Sequence, residues 1–157
     1  MIDQTKLPNE LVFVEFSDYH DVANAIKTLI VRGAPAIGVS GAFGLALAAL
    51  QSKATTKDQL LSELESARKT LYETRPTAVN LAWGLDKIMQ VAKQANEVSQ
   101  IKDLIVKTAQ EMAEDDIKIN MQMGKNGAVL FDNNDTIMTH CNAGSLATVA
   151  YGTALGV

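Results

Sequence analysis

The feature that most restricts the fold of this sequence is the run from Ala36 to Leu50, which carries no charge and whose only polar residue is Ser40. A helix with no charged face must be covered on all sides, so we expect a central core helix, with Pro35 in its first turn. The run is shorter than the roughly 18–20 residues that span a bilayer. Small residues four apart would let another backbone approach this helix closely: Ala36, Ser40, Gly44 and Ala48.

Composition narrows the class of protein. Hydrophobic residues make up 47% of the chain and charged residues 20%, which is enough apolar surface to bury a core. The net charge of −4 argues against a protein that grips nucleic acid or anionic lipid. The single cysteine excludes an internal disulfide and a cysteine-built zinc site, and it suggests a reducing compartment. Since Met1 to Glu10 does not resemble a signal peptide, we expect a cytoplasmic protein with no membrane or nucleic-acid partner.

Four further segments show helical spacing of apolar residues. Ser17 and Asp18 are typical N-cap residues for a first helix, and Thr56-Lys-Asp-Gln59 has the spacing of a capping box. The other two helices are expected over Leu81–Ala92, where Trp83 should lie in the core, and from about 96–99 to Met123, closed by Gly124 and Gly127.

Two segments are rich in strand-forming residues. Leu11–Phe16 predicts a short strand near the N-terminus. Thr136–His140 predicts a second strand, followed by a tight bend at Cys141–Gly144 and a new helix from Ser145. Strand, small-residue loop and helix are the opening of an α/β nucleotide- or phosphate-binding unit. Because one parallel strand cannot form a sheet, we expect this sequence to be the front part of a longer protein.

A first candidate site is Arg32-Gly-Ala-Pro-Ala-Ile-Gly38. An arginine here precedes a helix start, where free N–H groups and the helix dipole favour an anion. Arginine offers two parallel charged donors that match a phosphate, and glycine lets the backbone come close. The alternative is an ordinary loop with a surface arginine.

Two further segments could carry chemistry. Thr74-Arg-Pro-Thr77 places Arg75 at another helix start, where it could join Arg32 on one phosphate or be a surface residue. Cys141 lies between a predicted strand and a predicted helix, a position where ligands gather and where a thiol gains thiolate character. It could therefore act as an acid, a base or a nucleophile, or it could be a buried structural cysteine.

Taken together, these segments resemble the methylthioribose-1-phosphate isomerase family. The resemblance is carried by Arg32–Gly38 with Gly44–Ala48, by Arg75-Pro-Thr-Ala-Val-Asn-Leu81 with Trp83, and by Thr139-His-Cys-Asn-Ala-Gly144 with Tyr151–Gly156. The opening Asp3-Gln-Thr-Lys-Leu-Pro8 fits as well. The wider group includes ribose-1,5-bisphosphate isomerase and the regulatory subunits of the exchange factor for translation initiation.

The resemblance implies a mainly α fold: a helical N-terminal domain over residues 1–127 with a short β segment, then, over 128–157, the first strand and helix of a Rossmann-like catalytic domain. The implied reaction converts 5-methylthioribose 1-phosphate into 5-methylthioribulose 1-phosphate in methionine salvage. Cys141 matches the catalytic cysteine, Arg32 and Arg75 match substrate-binding arginines, and Gly33 and Ala34 match the backbone that lines the phosphate. No metal or organic cofactor is implied, and a homodimer is.

The resemblance also places a second catalytic group, an aspartate, in the downstream domain. We therefore expect this chain to be inactive alone. Two alternatives remain at this point: an isomerase with another sugar phosphate, such as ribose 1,5-bisphosphate, or a non-catalytic regulatory subunit related to the translation exchange factors. Retention of Cys141 beside both arginines speaks against the regulatory subunit.

Overall fold

The structure is a computed structural model that describes all residues from Met1 to Val157. It is mainly helical, as predicted. The five helices are α1 (Tyr19–Lys27), α2 (Ala34–Gln51), α3 (Lys57–Thr74), α4 (Val79–Ala92) and α5 (Val98–Ala128), and one 3-10 turn follows at Ser145–Ala147.

Helix α2 is the centre of the fold, as its lack of charge predicts, and it packs against the four other helices. By length and composition alone α2 could cross a membrane, and 61% of that apolar window is buried inside the protein. The core contains 26 buried hydrophobic residues, all of them between Val22 and Met112. The chain after Met112 therefore lies outside the main core.

The close backbone approach predicted for α2 occurs, but at neighbouring positions. A Cβ on Gly84 of α4 would lie 2.4 Å from the carbonyl oxygen of Gly38, and one on Gly38 would lie 2.7 Å from that of Asn80. The first part of α4 is thus pressed against the first part of α2. Trp83, on the same helix, is 54% exposed, so the prediction that it lies in the core is wrong.

Local caps explain where two of the helices begin. The Asp18 carboxylate accepts a hydrogen bond from the His20 N–H at 2.8 Å, and α1 begins there. The predicted capping box at the start of α3 is present in part: Thr56 Oγ1 accepts from the Gln59 N–H, but the Gln59 side chain accepts from the Thr55 N–H instead of that of Thr56. These caps satisfy helix donors that would otherwise lack partners.

Helix α5 continues past the two glycines that were expected to close it. It ends at Ala128, with Gly124 and Gly127 inside the helix. A Cβ on Gly124 would lie 2.5 Å from the Tyr151 ring, and one on Gly127 would lie 2.7 Å from the Val157 side chain. These glycines make room for the C-terminal segment of the chain instead of ending the helix.

The short β segment near the N-terminus is smaller than predicted. Met1–Asp3 runs antiparallel to Val12–Val14, with the Asp3 N–H donating to the Val12 carbonyl at 2.9 Å and the Val14 N–H donating to that of Met1 at 2.8 Å. Only one bridge, between Ile2 and Phe13, is formed. Leu11–Phe16 is therefore extended and paired at one point but is not a full strand, since a lone two-stranded pair is marginal in water.

The strand predicted at Thr136–His140 and the helix predicted from Ser145 are not found. The first segment is exposed and belongs to no strand, and the second forms only the 3-10 turn followed by bends. The physical reason is that a strand is stabilised by hydrogen bonds to a neighbouring strand, and no segment of this chain pairs with Thr136–His140.

Candidate functional site

The loop between α1 and α2 carries Arg32 and ends in a residue that only glycine fits easily. Gly33 is the N-cap of α2 with φ 103°, a left-handed conformation. It has no side chain to cap the helix, so the first N–H groups of α2 stay available to a ligand. Pro35 lies in the first turn, as predicted. Arg32, Gly33 and Ala34 thus lie at an uncapped helix start.

The same glycine brings the Arg32 loop against the segment that follows Cys141. A Cβ on Gly33 would lie 2.3 Å from the Cα and 2.6 Å from the carbonyl oxygen of Ala147, which belongs to the 3-10 turn. The residues are far apart in sequence, yet their backbones touch. The structure therefore brings the Arg32 segment against the residues that directly follow the Cys141–Gly144 segment.

Gln4 bridges these two segments. Its Nε2 donates to the Leu146 carbonyl at 2.8 Å and to the Arg32 carbonyl at 3.4 Å. Its Oε1 accepts from Arg32 Nε at 3.3 Å. The opening Asp3-Gln-Thr segment belongs to the resemblance, but sequence reasoning gave Gln4 no role. Only the fold shows what its amide contacts.

Cys141 is exposed and has a strained backbone. Its φ is 66°, in the left-handed region that non-glycine residues rarely adopt. The thiol is therefore accessible, and the alternative of a buried structural cysteine is wrong for this chain. Two residues later, the Ala143 carbonyl accepts hydrogen bonds from the N–H groups of Thr153 and Leu155, which closes the loop that follows the thiol.

The C-terminal segment is held to α5 by residues that sequence reasoning missed. The Asp116 carboxylate, expected only to be part of a solvated acidic face, accepts the Val149 N–H at 2.7 Å. One turn later Asn120 is 2% exposed, and its Nδ2 donates to the Asp116 carbonyl. The four-residue spacing of Asp116 and Asn120 along α5 is visible in the sequence. Nothing in the sequence indicates that Asp116 contacts Val149.

Arg75 ends α3 and precedes α4. It is half-buried, its N–H donates to the Tyr72 carbonyl, and its own carbonyl accepts the Ala78 N–H. No hydrogen bond joins Arg75 to Cys141 or to the backbone of Arg32. The start of α4 lies against α2 near Gly38, so Arg75 is connected to the other candidate residues only through the packing of these helices.

The three arginines of the chain differ in their partners. The guanidinium of Arg68 contacts Asp86 at 2.6 Å and Glu65 at 3.2 Å, and the hydrogen bond to Asp86 is the main cause that raises its pKa. Arg32 and Arg75 form no ion pair with any carboxylate. Their charges are therefore available to an anionic ligand, whereas the charge of Arg68 is used within the fold.

The geometry offers an anion a guanidinium, a glycine backbone and an uncapped helix start, with an accessible thiol on a neighbouring segment. No group of three or more His, Cys, Asp and Glu side chains lies close enough together to hold a metal ion. The start of α2 therefore has the features of an anion site, such as one for a phosphate group.

Comparisons with known proteins give close relatives. The chain is 48% identical to a methylthioribose-1-phosphate isomerase from Petrotoga mobilis and 47% identical to one from Acaryochloris marina, in both cases over 161 aligned positions that cover the whole chain. The match covers 46% and 45% of these relatives, in their N-terminal part. The chain thus spans about half the length of the curated relatives that it matches.

Solved structures agree with this result. The crystal structure of 5-methylthioribose 1-phosphate isomerase from Pyrococcus horikoshii matches 99% of the chain and 44% of its own, with a TM-score of 0.92 and 47% identity. That of the translation initiation factor eIF-2B, subunit delta, from A. fulgidus matches 99% of the chain and 46% of its own, with a TM-score of 0.90 and 45% identity. The family model of the Initiation factor 2 subunit family matches residues 30–155. This chain therefore belongs to the Initiation factor 2 subunit family.

Proposed function

We propose that this chain carries the N-terminal half of the active site of an aldose–ketose isomerase that converts 5-methylthioribose 1-phosphate into 5-methylthioribulose 1-phosphate, a step of methionine salvage. The observation that carries the proposal is the contact of the Arg32–Gly33 loop with the segment that follows Cys141. The relatives named methylthioribose-1-phosphate isomerase support it, since they match the whole chain.

The phosphate is bound, in this proposal, at the start of α2. Arg32 has no carboxylate partner, and its guanidinium can donate two parallel hydrogen bonds to phosphate oxygens. The backbone of Gly33 and Ala34 lines the same group, because the uncapped helix start leaves N–H groups free and its dipole favours an anion. Arg75 contributes a second positive charge from the neighbouring helix start.

Cys141 is the catalytic residue that the proposal assigns to this chain. The phosphate ester on the anomeric carbon prevents simple opening of the sugar ring, so a protein group must assist. The exposed thiol can exchange a proton with the substrate, and hydrogen then moves between the first two sugar carbons with no net oxidation. By the family resemblance, an aspartate from the C-terminal half of such an enzyme completes the acid–base pair. We therefore expect this chain alone to be inactive.

The proposal includes a domain arrangement. The helical domain covers residues 1–127, and residues 128–157 belong to a Rossmann-like domain, in which Thr136–His140 becomes the first strand and the segment from Ser145 becomes the first helix. An exposed apolar segment supports this, because Val129 and Met138 are 82% and 97% exposed. The rest of such a domain would cover these side chains, and a neighbouring strand would supply the missing hydrogen bonds to Thr136–His140. We also propose a cytoplasmic homodimer with a sugar phosphate as its only partner and no cofactor.

A second candidate function has one observation in its favour. The eIF-2B delta structure fits the chain almost as closely as the isomerase structure does, so the fold alone is compatible with a non-catalytic regulatory subunit. The accessible thiol of Cys141 favours the enzyme, because a module that only binds an anion needs an arginine but no reactive thiol. An isomerase for ribose 1,5-bisphosphate would use the same phosphate site.

The test compares two proteins. One is this chain alone; the other is this chain joined to the C-terminal part of the Petrotoga mobilis relative, which we call the joined protein. Each is given 5-methylthioribose 1-phosphate and, separately, ribose 1,5-bisphosphate, and the ketose product is measured. We expect turnover of the first substrate by the joined protein only. Turnover by the chain alone would show that it needs no second half, and an inactive joined protein would contradict the proposed function.

A further inference from the structure

We infer that Gln4 is a positioning residue of the proposed active site. Its side-chain amide sets the guanidinium of Arg32 relative to the segment that follows Cys141. The inference rests on the proposed function, because it concerns how the phosphate-binding group and the thiol are held at one fixed separation.

The contacts of Gln4 use the whole amide. The residue is 8% exposed, and its Nε2 donates to the Leu146 carbonyl at 2.8 Å and to the Arg32 carbonyl at 3.4 Å, while its Oε1 accepts from Arg32 Nε at 3.3 Å. An amide has two N–H donors and one carbonyl oxygen, so every group is engaged. A buried amide in this state is expensive to disturb, because each lost partner leaves a desolvated polar group.

The backbone around Gln4 is itself fixed. The Gln4 N–H donates to the Ile30 carbonyl at 2.9 Å, and the Asp3 N–H donates to the Val12 carbonyl at 2.9 Å. The Asp3 carboxylate also accepts from the Thr5 N–H at 2.9 Å and from the Thr5 hydroxyl at 2.6 Å. The amide therefore starts from a defined position and does not depend on Arg32 or Leu146 for its own placement.

The consequence for Arg32 is a restricted guanidinium. Arg32 is exposed and has no ion pair, so an arginine side chain here would otherwise sample many rotamers. Holding Nε on Gln4 removes part of that freedom and leaves Nη1 and Nη2 free for a phosphate. Less ordering is then needed when the ligand binds.

The consequence for the thiol segment is a fixed connection to the same point. Leu146 lies in the 3-10 turn five residues after Cys141, next to Ala147, which touches Gly33. A substrate gripped by its phosphate must bring its reacting carbons to the thiol with an error well below about 1 Å. The Gln4 side chain contacts both segments and, together with the Gly33–Ala147 contact, holds this separation.

The matched substitutions follow from hydrogen-bonding capacity. Gln4→Met keeps the length of the side chain and removes all three hydrogen bonds. Gln4→Glu keeps the acceptor for Arg32 Nε, loses both donors and adds a negative charge that competes with phosphate for the guanidinium. The control is Gln51→Met, since Gln51 Nε2 donates to the Ser17 carbonyl at 2.6 Å at the other end of α2, about 25 Å from its start.

The experiment measures kcat and KM of the joined protein with 5-methylthioribose 1-phosphate, the melting temperature, and hydrogen exchange of the Ala147 and Thr148 amides. For Gln4→Met we expect faster exchange at both amides, a lower kcat, and a KM raised about tenfold, as for the loss of one hydrogen bond to a charged group. Gln4→Glu should raise KM further. Gln51→Met should leave kcat, KM and the exchange of these amides unchanged.

The outcomes separate the two proposals. If kcat and KM of both Gln4 variants equal those of the parent, Gln4 is merely structural and the inference is overturned, whatever happens to the melting temperature. If the parent joined protein has no activity, the proposed function fails instead. If Gln4→Met does not fold, Gln4→Glu decides by the same kcat, KM and exchange measurements.

Discussion

Gly33 and Ala147 touch through their backbones: a Cβ added to Gly33 would lie 2.3 Å from the Cα of Ala147. This contact joins the start of the central helix to the segment that follows the only cysteine. Because both partners at the contact are backbone, it cannot relax by a change of rotamer. The position of the Cys141 loop relative to Arg32 therefore depends on the absence of a side chain at residue 33.

Gly33→Ala should displace the 3-10 turn. The added methyl group overlaps Ala147, and φ 103° is unfavourable for alanine, so we expect a loss of about 2 kcal/mol or more in the free energy of unfolding. Chemical denaturation measures it. Gly144→Ala is the matched control, since φ there is −80° and the added Cβ meets only side chains, those of the exposed Leu155 at 3.2 Å and of Asn142 at 3.9 Å. Equal effects of the two substitutions would argue against the Gly33–Ala147 contact.

Gly84→Ala should separate α2 from α4. The new Cβ would lie 2.4 Å from the Gly38 carbonyl oxygen, and backbone cannot move aside without shifting a helix. We expect destabilisation of about 1–3 kcal/mol, although alanine favours helix more than glycine does. Thermal melting followed by circular dichroism tests this. An increase in melting temperature would mean that the two helices are not in backbone contact.

Cys141→Ser and Arg32→Ala should separate catalysis from stability in the joined protein. The first should abolish turnover with little change in melting temperature, because the thiol is exposed and makes no hydrogen bond to the protein. The second should raise KM at least about tenfold by removing a charged hydrogen-bond donor from the phosphate. Arg68→Ala is the control: it breaks the contacts with Asp86 and Glu65 and should leave KM unchanged. If the Cys141→Ser variant remains active, the thiol is not required for catalysis.

The N-cap of α1 should make stability depend on pH at acidic values. The hydrogen bond from the His20 N–H, and then that from the His20 ring, holds the pKa of Asp18 below its usual value of 3.8. The ionised carboxylate is thus favoured by folding, so its stabilising effect is complete above pH 3.8 and is lost as the pH falls through the lower folded-state pKa. In Asp18→Asn, which keeps a cap but cannot ionise, this part of the pH dependence should disappear. If stability falls with pH in the same way in both proteins, Asp18 is not the source of this pH dependence.

The purified chain should self-associate. The apolar helix α2 is buried, but the segment after α5 leaves apolar side chains exposed: Val129, Leu130 and Met138 are 82%, 76% and 97% exposed. Exposed apolar surface of this kind favours association in water. Light scattering should give a mass above that of one chain, and replacing Leu130 and Met138 with serine should reduce it. A mass of one chain at high protein concentration would contradict the predicted self-association.

Short-range patterns in the sequence predicted the helices well. The charge-free run became the buried helix α2, and Asp18 and Thr56 cap the helices that they were expected to begin. These features act over one or two turns, so they can be recognised without knowledge of the rest of the chain. The sequence also pointed to Arg32, Arg75 and Cys141, and the structure leaves both guanidinium groups without carboxylate partners and the thiol accessible.

Features that depend on distant partners were predicted less well. Gly124 is typical of a helix end, yet it lies inside α5, where the Tyr151 ring occupies the space that a side chain would need. The strand at Thr136–His140 has the composition of a strand but no neighbour to pair with. Trp83 has an apolar side chain but lies on the outer face of its helix.

By itself, then, the sequence determined where the helices begin, which of them is central, and which loops carry an arginine or the thiol. The tertiary structure alone decided that Gln4 contacts Leu146, 142 residues away, and that Gly33 lies against Ala147. The reason is that helix periodicity and caps are local interactions, whereas the meeting of distant loops is set by the packing of all the helices between them.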